Sequence, residues 1–190
     1  MKTTKITTLK SLSMLFLSML LFSACGQSRK NSELKGSVVA PKVDIHTAVI
    51  SGDLEAVHQH IEAGSDINVK EPFNGSTPLI TAATFGKKEI AQALIDAGAD
   101  LSIKNNDGTT PLHSAAFFCR VEIVQQLIDA KANKNLLNKY GSTPRQTVMG
   151  PFEDVKPIYE MLQQQLAPMG FQLDMAEVEK SRPVVAMMLQ

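Results

Sequence analysis

The chain is expected to fold as an all-α solenoid of stacked helix-turn-helix units. Three observations predict this: the sequence repeats at a period of 33 residues, each copy holds two short runs with helical apolar spacing, and turn-forming residues separate the copies. From Ser76 the chain reads STPLITAATFGKKEIAQALIDAGADLS, and from Thr109 it reads TTPLHSAAFFCRVEIVQQLIDAKANKN. Pro78, Pro111 and Pro144 fall 33 residues apart. Upstream, VDIHTAVISGDLEAVHQHIEAGSDIN from Val43 aligns at an offset of 34, the extra residue falling in the loop before Thr77. A fixed period of this length marks an array whose units bury their apolar faces only against their neighbours.

Residues 1–24 stand apart from the array. Lys2, Lys5 and Lys10 flank the apolar run SLSMLFLSMLLF at residues 11–22, and no acidic residue occurs before Glu33. That run is short for a bilayer-spanning helix and has the n-region and h-region of a secretory signal. Its end, LLFSAC, resembles the lipobox of bacterial lipoproteins through Ser23, Ala24 and Cys25, with Phe22 where Leu is commonest. The resemblance implies cleavage before Cys25 and a lipid on its thiol; an ordinary secretory signal cut near Ala24 is the alternative. Two or three acyl chains, at about 0.8 kcal/mol per buried CH₂, anchor a protein stably. Gly26 in place of Asp resembles lipoproteins sent to the outer membrane of Gram-negative cells. The expected location is therefore the bacterial envelope, lipid-anchored to a membrane, which in a Gram-negative cell is the outer membrane on its periplasmic side. Loss of residues 1–24 removes three lysines and no acid, which turns a neutral chain into one of net charge −3. Residues 25–41 are then a lipidated cysteine and a flexible tether spanning roughly 20–25 Å.

The repeated units justify themselves element by element. Thr77 and Thr110 can cap a helix whose first residue is Pro78 or Pro111, where a missing N–H costs nothing. The pairs Ala82–Ala83 and Ala115–Ala116 let stacked helices approach closely. In the second helix, Ile90, Leu94 and Ile95 recur as Ile123, Leu127 and Ile128, a buried face. Gly64 and Gly98 end that helix in the left-handed conformation. FNGST and NNDGTT are turn chemistry. A 33-residue period carrying T-P-L-H-x-A-A and then G-A-D resembles the ankyrin repeat over residues 43–150. The first unit lacks Thr-Pro, as a terminal unit can. In the fourth, Arg145 and Gln146 replace Leu-His, and Pro151 and Pro157 interrupt the pattern. The expected organisation is ankyrin repeats over 42–150, about three clear and one degenerate, then a degenerate repeat and C-terminal cap over 151–190, with a capping helix pair that shields the last apolar face.

Composition and motifs exclude more than they assign. With zero net charge and no basic stripe, no strong electrostatic pull on nucleic acid is expected. No G-x-S-x-G, no phosphate-cradling glycine loop and no fixed pair of carboxylates is present, so no catalytic residue and no enzyme activity is expected. No cofactor is expected either. His46 and His113 occupy the T-P-L-H position, where the resemblance implies a structural hydrogen bond to backbone. His58 and His60 lie two apart, on different helix faces; they motivate the alternative of a metal or small-molecule sensor.

What remains is binding. Ankyrin arrays bind through finger tips and through the end of the first helix after A-A, and those positions carry over residue by residue. The fingers place Phe73, Asn74 and Ser76, then Asn106, Asp107 and Thr109, then Tyr140. The post-A-A positions place Phe85, Phe117 and Phe118. Five of the eight aromatics beyond Cys25 fall on these positions. Aromatics there read as interface anchors for a protein partner. The competing reading has the tether or the C-terminal segment folding back over the rings. Cys119 stands where Gly52 and Gly86 end the first helix, a costly substitution if φ is positive. The expectation is thus a monomeric, non-catalytic, lipid-anchored module that binds an envelope or secreted protein through its concave face, as inhibitor, immunity-like or accessory protein.

Overall fold

A computed structural model describes residues 39–190. The apolar leader, Cys25 and nearly all of the expected tether lie outside the described residues. Each of the three clear units is a pair of short antiparallel helices: α1 (Ile45–Ser51) with α2 (Leu54–Glu62), α3 (Pro78–Phe85) with α4 (Lys88–Asp96), and α5 (Pro111–Phe117) with α6 (Val121–Asp129). Among the described residues there are no strands, and no helix is long and apolar enough to cross a membrane.

Local chemistry sets the helix starts. Asp44 caps α1 by accepting from the His46 and Thr47 amides, at 3.0 and 3.1 Å. Thr77 caps α3 and Thr110 caps α5, each followed by proline at the first turn. At α5 the cap is reciprocal, because the Thr110 amide also donates to His113 Nδ1. The first helices end on left-handed residues: Gly52 at φ 80°, Gly86 at φ 69° and Cys119 at φ 51°. Cys119 does occupy a glycine conformation, at a cost of roughly 1–2 kcal/mol. Lys131, at φ 65°, does the same where the preceding units have Gly64 and Gly98.

Packing follows the small-residue pairs. Ala82, Ala83, Ala115 and Ala116 are fully buried between stacked first helices, and Ile90, Leu94, Ile123 and Leu127 form the layer between second helices. First helices stack on first helices (α1, α3, α5) and second on second (α2, α4, α6).

The fourth unit is split. Thr143 and Gln146 form a reciprocal cap, Gln146 standing in for the histidine of α5. The helix they start is only a single 3₁₀ turn, Gln146–Val148. Gly150 and Pro151 stop it, since the residue before a proline avoids helical ψ. The unit's second helix arrives much later, as α8 (Met175–Met188), which stacks on α6 and on the 3₁₀ turn. Val185 and Leu189 complete the core, and Arg145 Nε donates to the Ala186 carbonyl at 3.1 Å. Between these halves sits an insertion: α7 (Phe152–Leu166), a 3₁₀ turn at Ala167–Met169, and an extended return through Phe171. The closing helix pair is therefore α7 and α8, but only α8 continues the stack.

Candidate protein-binding site

Two sets of side chains bear on binding: the finger tips and the ends of the first helices. Each finger is a turn closed on itself. Asn105 Oδ1 accepts from the Asp107 and Thr109 amides at 3.0 and 2.9 Å. Asn138 Oδ1 does the same for Tyr140 and Ser142 at 2.9 and 3.0 Å. In the first finger, one residue longer, Glu71 replaces this asparagine. Its carboxylate accepts from the Phe73, Asn74 and Ser76 amides at 2.5, 2.8 and 3.0 Å. Burial pushes the Glu71 carboxyl up, but these amides and nearby His46 together hold it below its ordinary range.

The fingers also bond to one another. Asn106 N donates to the Asn74 carbonyl at 2.8 Å, and Lys139 N to the Asp107 carbonyl at 2.9 Å. Alongside, Lys70 Nζ reaches the Lys104 carbonyl at 2.7 Å and Lys104 Nζ reaches the Leu137 carbonyl at 2.8 Å. His46 Nε2 and His113 Nε2 lie 3.1 and 3.0 Å from the carbonyls of Val69 and Ser142, fixing fingers to helices. The row is thus rigid, and at its tips Phe73 is 95% and Tyr140 77% exposed.

The helix ends are different. Phe118 is 7% exposed, and Phe85 and Phe117 are half-buried in a second apolar cluster with Phe152, Tyr159, Phe171, Leu173 and Val178. Phe171 inserts beside both Phe85 and Phe118, with centroids 5.6 and 5.3 Å away in edge-to-face geometry. Tyr159 lies 4.7 Å from Phe117 and is completely buried. Its hydroxyl donates to the Phe117 carbonyl at 2.6 Å and accepts from Arg182 Nη1 at 3.1 Å. Arg182, 3% exposed, also donates to the Gly150 carbonyl at 3.4 Å. Arg120 spans the junction with Nη2 on the Thr84 and Gln172 carbonyls, its guanidinium 5.7 Å from the Phe171 centroid. Burial pushes the Tyr159 phenol up to about 12, the Cys119 charge acting in the same direction and Arg182 opposing. It pushes the half-buried Cys119 thiol up to about 11, against Arg182 and Arg120.

Comparison with known proteins agrees with this geometry. The family described as ankyrin repeats, in three copies, matches residues 45–138. Residues 45–138 are ankyrin repeats. Mouse protein phosphatase 1 regulatory subunit 27 is 42% identical over 64 residues, covering 34% of this chain and 41% of that protein. Dog inversin is 37% identical over 73 residues, 38% of this chain and 7% of that protein. The crystal structure of the ankyrin repeat domain of Bcl-3 superposes with a TM-score of 0.53 at 29% identity, covering 54% of this chain and 45% of that one. The chain spans about two fifths of the length of the phosphatase regulatory subunit it matches.

On this ankyrin frame the expected site residues separate. Phe73, Asn106 and Tyr140 are exposed at the finger tips, and Asn74, Ser76, Asp107 and Thr109 are half-buried within the turns. Phe85, Phe117 and Phe118 were expected to join them as interface anchors. They do not: the insertion covers them, because three large rings at the ends of adjacent first helices are too apolar to leave in water and Phe152, Tyr159 and Phe171 complete their packing. The fold-back reading accounts for these three. Phe73 and Tyr140 lie outside this cluster. His60 is buried, its ring nitrogens 3.1 Å from Ser65 Oγ and 2.8 Å from the Val43 carbonyl, while His58 is exposed. Among the described residues no group of three or more His, Cys, Asp or Glu could hold a metal ion. Glu71, Tyr159, Phe171 and Arg182 escaped the sequence reading. Glu71 was detectable, since it aligns with Asn105 and Asn138; the other three depend on contacts across 23 to 86 residues.

Proposed function

We propose that this ankyrin array is a non-catalytic interaction module whose finger row binds a partner protein. The observation that carries the reading is the contrast among aromatics. Six pack into one cluster, while Phe73 and Tyr140 stand out from fingers whose amides are pinned. An exposed aromatic on a pinned backbone is a ready binding anchor, because docking it orders little further backbone. The phosphatase regulatory subunits among the relatives favour a chain that modulates another protein. We read this one as an inhibitor, immunity-like or accessory protein of an envelope or secreted protein, held at the bacterial membrane by a lipid on Cys25.

The test has two arms. Incorporation of a palmitate analogue into the full chain and its loss in Cys25→Ser address the anchor; soluble, unlabelled wild-type chain would remove it. Phe73→Ala with Tyr140→Ala addresses binding. The double variant is expected to keep its unfolding midpoint and lose crosslinking to the partner in the native envelope. Unchanged crosslinking would reject the finger row as the site.

A further inference from the structure

The three fingers repeat one junction twice and leave it open a third time. Across the first junction, Asn106 N–H bonds the Asn74 carbonyl; across the second, Lys139 N–H bonds the Asp107 carbonyl. Both accepting carbonyls belong to the residue before a glycine. A Cβ on Gly75 would lie 2.7 Å from Asn106 Oδ1, and one on Gly108 would lie 2.8 Å from Lys139 N. The neighbouring finger therefore lies directly on the glycine. At the third finger the equivalent carbonyl is that of Tyr140, which accepts no hydrogen bond among the described residues, and a Cβ on Gly141 would meet nothing within 4 Å.

We infer that this outer edge, at Tyr140–Gly141, docks a backbone turn of the partner protein, which donates one free N–H to the Tyr140 carbonyl and rests on Gly141. The inference rests on the protein-binding reading above and specifies the chemistry of the contact. The two inner junctions define that chemistry, since each holds such a turn on the same atoms.

A second copy of this chain is a poor occupant on hydrogen-bonding grounds. The donor at the inner junctions is the residue after Asn105 or Asn138. In the first finger the residue after Glu71 is Pro72, which has no N–H. One end of the finger row is thus closed to addition, as proline protects a sheet edge. Pairing of two third fingers fails as well: the Tyr140 and Ser142 amides are held by Asn138, and Lys139 N faces inward to Asp107. The edge offers an acceptor and needs a foreign donor. Leu137, exposed, occupies the position from which Lys70 and Lys104 reach the next finger's carbonyl. The edge therefore presents apolar surface beside the acceptor, and the docked turn is flanked by an apolar side chain.

A stand-in for that turn is a cyclic peptide carrying the chain's own third-finger sequence, LLNKYGST, titrated into ¹⁵N-labelled full chain in detergent. Amide shifts are expected at Tyr140, Gly141 and Ser142. An analogue N-methylated at the peptide's lysine, which removes the donor, should bind at least roughly fivefold more weakly. Leu137→Lys, an exposed change, should tighten the unmodified peptide about threefold or more by restoring the lysine contact. Absence of shifts at millimolar peptide, equal binding of the methylated analogue, or concentration-dependent dimerisation through Tyr140 would overturn the inference. Failure here is separable from failure of the protein-binding reading. Envelope crosslinking from Phe73 that persists without any Tyr140-edge response defeats the edge alone; loss of crosslinking from both positions defeats the reading.

Discussion

Tyr159→Phe isolates the contact that seals the insertion onto the repeats. The ring stays, so its packing on Phe117 and Phe152 is preserved. What goes is the hydroxyl that joins the Phe117 carbonyl at 2.6 Å to Arg182 at 3.1 Å. The bond to the carbonyl contributes about 1 kcal/mol and the charged one about 1.5–3 kcal/mol, and both partners would remain buried without it. The expected loss is therefore about 2–4 kcal/mol, a large share of a typical domain stability of roughly 5–15 kcal/mol. In thermal unfolding this corresponds to a midpoint lower by roughly 5–12 °C. Urea unfolding followed by circular dichroism measures the free energy, and amide exchange should show α7 opening first. A change under about 0.5 kcal/mol, the range of an ordinary surface substitution, would refute the description of α7 as docked through this hydroxyl.

Four further outcomes follow from the same contacts. Gly108→Ala should destabilise by clearly more than Gly141→Ala: both carry positive φ, at 72° and 73°, but only the first would press a Cβ onto the next finger's backbone; equal losses in urea unfolding would contradict finger stacking. With its thiol raised to about 11, Cys119 should react with iodoacetamide at pH 8 about 100-fold more slowly than an ordinary cysteine. Since the folded chain keeps the Cys119 and Tyr159 protons where the unfolded chain loses them, stability should fall as pH rises above about 9, and Tyr159→Phe should remove the part between about 10 and 12. At the acid end, burial holds the His113 imidazole below its ordinary 6.5, ahead of the opposing Ser142 carbonyl. The unfolded chain then binds the proton first, so stability present above about pH 6.5 declines below it. His113→Gln, which copies the Thr143–Gln146 cap, should flatten that decline.

The repeats were legible because their signals are local. Thr110, Pro111 and the alanine pair specify a capped helix and its contact within seven residues, and the period supplies the stacking partner without a search. Cys119 was legible for the same reason: register alone places it on a left-handed position. The insertion was not. Pro151 and Gly170 mark its ends, but nothing near Phe171 states that its ring will lie beside Phe85, 86 residues earlier. Binding-type positions and core-type residues coincided at Phe85, Phe117 and Phe118, and their apolarity, which the interface reading credited to a partner, was answered within the chain. A usable clue was Tyr159, an aromatic with a hydroxyl able to satisfy a helix-end carbonyl. The extra residue of the first finger was visible; its consequence, Glu71 enclosing a larger turn and lifting Phe73 into water, needed the coordinates of three amides.

The central claim is that binding uses the fingers while the first-helix ends are sealed by the chain's own insertion. Site-specific photocrosslinking in the native envelope tests it most directly, with benzoylphenylalanine placed in turn at Phe73, Tyr140 and Phe117 of the full chain. The account predicts the same partner captured from Phe73 and Tyr140 and, from Phe117, crosslinks only within the chain, to α7. Capture of the partner from Phe117, with none from the two finger positions, would contradict it.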